Sequence, residues 1–333
     1  MIIRIRSSRW LARLAGAAML SITALPAMQA QAAGNWPSEP IKLIVPSTPG
    51  QGTDLMARFV AERLGKALGQ PMIVDNKPGA SGTVGAALAT KAKADGHTLL
   101  FTNASFTAMV QSLRPPTTYD LRKDLMPIVQ IGAGGVGIAV PIESPIKRLA
   151  ELVDHVRANP DKFNYGTWGT GSSAHLVMEY LNAKTGMVIN HVPYKGTGQV
   201  HQDLMGGTLQ VGWTDMTSAL PLIKANRIRV LAVSGSRRFP ASPEIPRLKD
   251  EGFDFDTDGW YGLFAPAGTP AAIVQRVNEE VNRIMLSADS EAQLLQLNLP
   301  GAPKNSPEEF AATLERDINT WTGIVQEHKI KVN

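Results

Sequence analysis

Three short stretches carry most of the polar chemistry this chain could do. Pro46–Asp54 reads PSTPGQGTD, Gly166–His175 reads GTWGTGSSAH, and Tyr194–Thr197 reads YKGT. Each is rich in glycine and hydroxyl side chains and stands before a run with helical spacing. Such a loop leaves the first N–H groups of a helix unpaired, with the positive end of the helix dipole behind them, and takes a carboxylate or a phosphate equally well. The same residues also suit a plain strand-to-helix turn in which glycine serves only close packing. Catalytic patterns are sparser. Ser172 or Ser173 with His175 suggests a nucleophile and base, yet Ser173 and His175 stand two apart at a helix start and do not face each other. His97, His155, His175, His191, His201 and His328 show no metal-ligand spacing, so no metal is expected. Asp254, Asp256 and Asp258 alternate as DFDTD without the later glycine and glutamate of a calcium loop, and read as a solvated edge segment. Gly132–Gly137, GAGGVG, matches the dinucleotide fingerprint only formally, because Ile138–Pro141 continues as a strand; a flexible strand crossing between lobes is the better reading. No phosphate-loop or G-x-S-x-G motif occurs, and no cofactor is implied. Polar loops without a catalytic dyad favour binding over catalysis.

The elements that must position these loops alternate along the chain. Ile41–Val45 is an apolar, β-prone run, Pro46 ends ladder donation, and Pro49, Gly50 and Gly52 supply the turn. Thr53 or Asp54 is placed to cap a helix running to Leu68. Strands are predicted over Pro71–Val74, Gly96–Thr102, Pro127–Val140, Val188–Val192, Gln210–Trp213, Arg229–Ser234 and Trp260–Ala265, with a further one opening at Asn164. Helices are predicted over Ala86–Ala94, Leu149–Ala158, Ala174–Thr185, Gly196–Met205, Ala219–Lys224, Pro270–Met285 and Pro307–Glu327, with Tyr119–Leu125 a polar link. Repeated βα units predict an α/β fold of parallel sheets covered by helices on both faces, with the polar loops gathered at the carboxyl edges of the strands.

Residues 1–32 have the character of a cleaved signal peptide. Arg4, Arg6, Arg9 and Arg13 form a basic start, Leu14–Ala27 a short apolar stretch, and Ala30-Gln31-Ala32 a small-residue cleavage site near Ala32. Of 33 basic residues four lie in this leader, so the remaining 33 − 4 = 29 balance 29 acidic ones and nothing points to nucleic acid. The chain has no cysteine, hence no disulfide, thiolate nucleophile or lipid attachment after the leader. An exported bacterial periplasmic protein is expected. The 333 − 32 = 301 residues left exceed what one compact core usually holds, so two lobes are expected.

A succession of motifs resembles the Bug-type periplasmic receptors of tripartite tricarboxylate transporters. Trp36-Pro37 and the pattern P-x-x-x-G-x-G-T-D-x-x-A-R ending at Arg58 resemble that family's first ligand loop. Val74–Thr83, Gly96–Asn103, Tyr119–Pro127, Asn164–Leu176, His191–Gly196, Asp203–Gly207, Ile228–Ser234 and Trp260–Pro270 continue the similarity to near the C-terminus. The resemblance implies a type II periplasmic-binding fold, two doubly wound lobes with a ligand cleft between them. It places crossing strands near Ile131–Pro141 and Phe255–Leu263, with residues 36–135 and 258–333 in lobe one and 136–257 in lobe two. It implies a small carboxylate ligand, membrane permease subunits as partners, a monomer, and no enzyme activity. Thr48, Gln51, Gly52, Thr53 and Asp54 are expected at one carboxylate, with Asn103 and Ser105 bordering it. Gly171, Ser172, Ser173 and His175 are expected to close from lobe two, flanked by Tyr194, Gly196 and Asp215. Asp54 is better placed to cap its helix than to touch ligand. Ser47 and Gln51 depart from the family pattern, and Trp168 enlarges the second loop in a way that suits an aromatic or longer ligand. A sensor passing ligand occupancy to a kinase uses the same cleft, and an ester hydrolase using Ser172 or Ser173 is the enzymatic alternative.

Overall fold

The computed structural model describes residues 36–107, 118–160, 162–299, 301 and 304–330, and the leader expected over residues 1–32 lies outside them. Its first sheet is built on β1 (Ile41–Val45), nearly all buried, as a strand covered on both faces must be. β1 runs parallel to β2 (Met72–Asn76) on one side and to β3 (Thr98–Asn103) on the other. Beyond β3 lie β10 (Gly259–Pro266) and then β4 (Leu125–Gly134), in the order β2-β1-β3-β10-β4. The second sheet has the order β7-β6-β8-β5-β9, with β5 Val136–Pro141, β6 Asn164–Thr167, β7 Asn190–Pro193, β8 Val211–Asp215 and β9 Ile228–Val233.

Both sheets are mixed, not parallel throughout as the βα alternation suggested. β10 is antiparallel to β3 and β4, and β5 is antiparallel to β8 and β9. The cause is connectivity: β10 and β5 follow a passage from the other sheet instead of a crossover helix of their own sheet, so they enter from the opposite end. The passage from β4 to β5 is the single residue Gly135. A Cβ there would collide with the Ser234 backbone, and Ser234 is bonded to Val136 twice: its N–H donates to Val136 O (2.9 Å), and its Oγ accepts from Val136 N–H (2.9 Å). The return passage is tied to the same spot by Asp258, which accepts from Ser236 N–H at 2.7 Å and from Ser236 Oγ. Of the DFDTD run, Asp254 and Asp256 are exposed as expected, but Asp258 is a half-buried fastener.

Helices cover both sheets. α1 (Gly52–Leu68) buries Met56, Phe59, Val60, Leu64 and Leu68, and ends on Gly69 in the left-handed region, where a residue with a Cβ would be strained. α2 (Thr83–Thr90) and a short α3 (Leu121–Asp124), which falls within the expected polar link, complete that side. The second sheet carries α4 (Leu149–Ala158), α5 (Ser173–Thr185), α6 (Thr197–Met205) and α7 (Met216–Lys224). α8 (Ala271–Met285) and α9 (Ala288–Gln296) follow β10, α9 having no counterpart in the sequence reading. α10 (Pro307–Glu327) opens with Pro307 and a reciprocal cap between Ser306 and Glu309. It spans both halves: Phe310 packs edge-on against Trp260 of the first sheet, while Trp321 meets Phe255 and His328 sits edge-on to Tyr180 of α5.

Candidate functional site

The N-termini of α1, α5 and α7 converge on one cleft between the two sheets. α1 begins two to three residues earlier than a cap at Thr53 or Asp54 would have it, at Gly52, and the residue in the cap position, Gln51, makes no side-chain cap bond. Asp54 acts from inside the first turn instead. Its Oδ2 accepts from Gly50 N–H (2.9 Å) and Arg58 Nε (3.0 Å), its Oδ1 accepts from Asn76 Nδ2 (2.9 Å), and Arg58 Nη2 pairs with Oδ1 at 3.0 Å. Burial pushes the Asp54 carboxyl up, but Arg58, the Gly50 amide and Asn76 together outweigh that and hold it below the usual carboxylate range. Three residues engage both of its oxygens, so Asp54 serves to hold the loop.

The donors lie next to it. Asn103 spends its carbonyl on Phe106 N–H (3.0 Å) and its amide on Thr53 Oγ1 (2.7 Å), which leaves the Thr53 hydroxyl proton free to donate. Among the described residues, the amides of Gly52, Thr53 and Asp54 have no backbone acceptor, as the geometry of a helix start requires. Gln51 is buried beside them with its Oε1 unpartnered. Ser105 joins the halves: its Oγ accepts from Ser173 N–H (2.8 Å) and from Trp168 Nε1 (3.2 Å), both on the second sheet's loop. Ser81 Oγ donates to Thr170 O (2.6 Å) at the rim. The two halves are closed on each other.

Behind the second loop, Ser172 Oγ accepts from His175 N–H (3.4 Å), and His175 Nδ1 accepts from Gly171 N–H (3.0 Å). The His175 ring lies flat on His191 (4.2 Å between centroids, 9° between planes), and His191 Nε2 meets Thr167 Oγ1 at 2.7 Å. Burial lowers His175 to about 4, and burial followed by the neighbouring His175 lowers His191 to about 3. His175 Nδ1 is thus taken up by the loop, and Ser172 Oγ meets the His175 backbone amide, not its ring. Asp215 caps α7, its Oδ1 accepting from Ser218 N–H (2.9 Å) and its Oδ2 from Ser218 Oγ (2.6 Å) and Thr197 Oγ1 (3.2 Å).

Of the residues expected at the site, Gln51, Thr53, Asn103, Ser105, Ser173 and Asp215 line the cleft. The others stand outside its lining. Gly52 abuts the Asp215 carboxylate, and Gly196 abuts Thr48, each at the approach of one half to the other. Gly171, Ser172 and His175 build the loop from behind, and the Tyr194 hydroxyl is bonded to Asp203. The cleft also takes Thr217, Ser234, Phe239, Trp260, Tyr261 and Trp321, which sequence reasoning did not assign. The aromatic pair of Trp260–Pro270 was visible as a motif, whereas Trp321 and Phe239 reach the site from α10 and from the loop after β9.

Residues 56–329 match a family described as the tripartite tricarboxylate transporter family receptor (TctC). The protein BugT of Bordetella pertussis is 33% identical over 303 residues, covering 90% of this chain and 92% of BugT. Among solved structures, Rpa4515 of R. palustris with adipate aligns with a TM-score of 0.85 at 30% identity, over 89% of this chain and 99% of that one. MatC of Rhodopseudomonas palustris with bound malate aligns with a TM-score of 0.82 at 28% identity, over 87% of this chain and 100% of that one.

Proposed function

This chain belongs to the tripartite tricarboxylate transporter receptor family, and from that premise we propose that it is an exported periplasmic receptor that closes on a small carboxylate and delivers it to membrane permease subunits. The observation that carries the reading is the meeting of three helix N-termini on one closed cleft, with free donors at the start of α1. A carboxylate placed at the start of α1 takes the Gly52–Asp54 amides and the Thr53 hydroxyl without displacing any existing bond. The adipate and malate held by two structural neighbours support the same ligand class.

In this mechanism residues 36–135 with 258–333 form one lobe and 136–257 the other, turning about Gly135 and the Ser236–Asp258 pair. Ligand docks on the first lobe through Thr53, Gln51 and Asn103. Closure then brings Ser173 and Trp168 onto Ser105, and Asp215 beside Gly52. The ligand favours closure only by the contacts it makes in the closed form, so the permease reads occupancy as shape. A thermal-shift screen against carboxylates tests this. At one hundred times its dissociation constant a ligand stabilises the protein by about 2.7 kcal/mol. A carboxylate hit that is lost in the Thr53→Ala, Ser105→Ala double variant is the expected result. Absence of any carboxylate hit rejects the reading.

A further inference from the structure

We propose that Trp321 receives the far end of a two-ended ligand through its indole N–H. The carboxylate held at the start of α1 is then one end of a molecule that carries a second oxygen acceptor, a carboxylate or a carboxamide. The inference rests on the receptor reading above and adds the residue that selects for the second end.

The state of the indole N–H groups singles Trp321 out. Of the tryptophans among the described residues, Trp168, Trp260 and Trp321 line the cleft. Trp168 Nε1 donates to Ser105 Oγ (3.2 Å), and Trp260 Nε1 donates to Asp317 Oδ2 (2.6 Å). Trp321 Nε1–H has no acceptor, and the residue is 1% exposed, so bulk water does not supply one. A buried indole N–H ordinarily finds a partner, and one left without carries the full cost of its desolvation. Trp36 and Trp213 are orphaned in the same way, but neither borders the cleft. Trp321 alone among these combines an unspent donor with a place in the wall around the ligand.

Its position makes it a second contact, separate from the donors at α1. Trp260 and Tyr261 are neighbours on β10 and serve opposite faces of the first sheet. The Tyr261 hydroxyl lies against Gly52 at the start of α1, whereas Trp260 packs edge-on against Phe310 of α10 and bonds Asp317. The cores on those two faces are distinct, one holding the buried side of α1 and the other that of α10. Trp321 stands one turn on from Asp317, on the same face of α10. The cleft reaches both layers, since Thr53 and Trp321 both line it. The two oxygens of one carboxylate share a carbon and do not span from one helix layer to the other, so a ligand held by both carries an acceptor at each end. The donor is also fixed in advance. Asp317 pins α10 to Trp260, and the Trp321 ring meets Phe255 at 5.7 Å between centroids. A side chain held by packing loses little freedom when it bonds.

Isothermal titration with matched pairs tests the proposal: succinate against butyrate, glutarate against pentanoate, and adipate against hexanoate. Chain length is equal within a pair, and only the second end differs. In the wild type at least one diacid should bind roughly tenfold or more tighter than its monoacid, the factor expected of a bond to a charged group. Replacing Trp321 by benzothienylalanine keeps the bicyclic ring and its packing but puts sulfur where the N–H stood. The advantage of the diacid should then shrink by roughly fivefold or more, with the monoacid unchanged. The monoamide of the favoured diacid is the further arm: an equal loss for it assigns the contact to any oxygen acceptor, and a loss for the diacid alone assigns it to a carboxylate. In nitrogen-15-labelled wild type, the indole signal missing from the Trp321 variant should move downfield with the diacid and stay in place with the monoacid. No diacid advantage in the wild type, an advantage that survives the replacement, an equal loss for diacid and monoacid, or an unmoved indole signal each overturns the role of Trp321 and leaves the receptor standing. Binding of none of the six acids also overturns it, and the receptor reading then stands or falls on the broader carboxylate screen.

Discussion

At the scale of single residues, the cleft works through hydroxyls whose acceptor side is already occupied. Asn103 donates to Thr53, and two groups of the second lobe donate to Ser105, so each hydroxyl has its proton left to offer. Removing the Thr53 hydroxyl deletes one bond to a charged ligand and orphans the Asn103 amide. A hydrogen bond to a charged group contributes about 1.5–3 kcal/mol, so Thr53→Ala should weaken carboxylate binding roughly tenfold to a hundredfold in titration calorimetry. An unchanged affinity would move the ligand away from α1. The histidines behind the loop give a pH signature. His175 accepts the Gly171 amide only while neutral, and its folded value near 4 lies below the ordinary 6.5. The unfolded chain therefore binds the extra proton between those values. The stability this residue contributes is present above pH 6.5 and is lost as pH falls toward 4, by on the order of 2–3 kcal/mol. Melting temperature followed from pH 7.5 to 4.5 should fall more steeply in the wild type than in His175→Gln. Parallel curves would mean the ring is not the group that titrates.

At the scale of elements, α10 is pinned to the first sheet by a buried acid. Asp317 Oδ2 accepts from Trp260 Nε1 at 2.6 Å, and burial raises its carboxyl to about 6 despite that bond and nearby Arg316, with Asp258 pushing the same way as burial. The folded value lies above the unfolded one. The stability tied to its protonated form is thus present below about pH 3.8 and lost as pH rises through 6. Asp317→Asn keeps an acceptor for Trp260 and removes the buried charge, so it should stabilise by on the order of 1–3 kcal/mol at pH 7.5 and by little at pH 4. Calorimetry at both pH values decides it, and an equal shift at both would refute the charge as cause. The start of α10 was plain in the sequence, because Ser306, Pro307 and Glu309 form a local cap that needs no tertiary partner. Its far end on α5 was not, since Trp321 and His328 find Phe255 and Tyr180 only in three dimensions. The same split holds elsewhere. The loops after β1 and β6 announce themselves by glycine and hydroxyl content, whereas the antiparallel β5 and β10 depend on a passage between sheets that no local period encodes. Asp54 shows the limit at the site itself: its cap-like position was legible, but the three hydrogen bonds and the ion pair that engage it come from Gly50, Arg58 and Asn76 together.

At the scale of the whole molecule, the proposed mechanism couples binding to closure, because the cleft is lined from both lobes. Gly196 offers a way to separate them. Its backbone is extended (φ −177°), a conformation any residue adopts, so a side chain there brings no backbone strain. Yet a Cβ on Gly196 would collide with Thr48 Oγ1, across the gap in the opposite lobe. Gly196→Val is therefore a wedge that leaves each lobe intact and obstructs only their approach. The ligand-free variant should melt within a degree or two of the wild type, since neither core loses a contact. Ligand affinity should fall at least tenfold, because the Ser173, Trp168 and Asp215 side of the cleft can no longer reach the first lobe. Small-angle scattering gives the independent reading: ligand should reduce the radius of gyration of the wild type and leave that of Gly196→Val unchanged. A variant that binds as tightly as the wild type and still contracts would show that Thr48 yields easily. One that binds tightly without contracting would show that the first lobe alone holds the ligand, and closure would then serve recognition by the permease and not affinity.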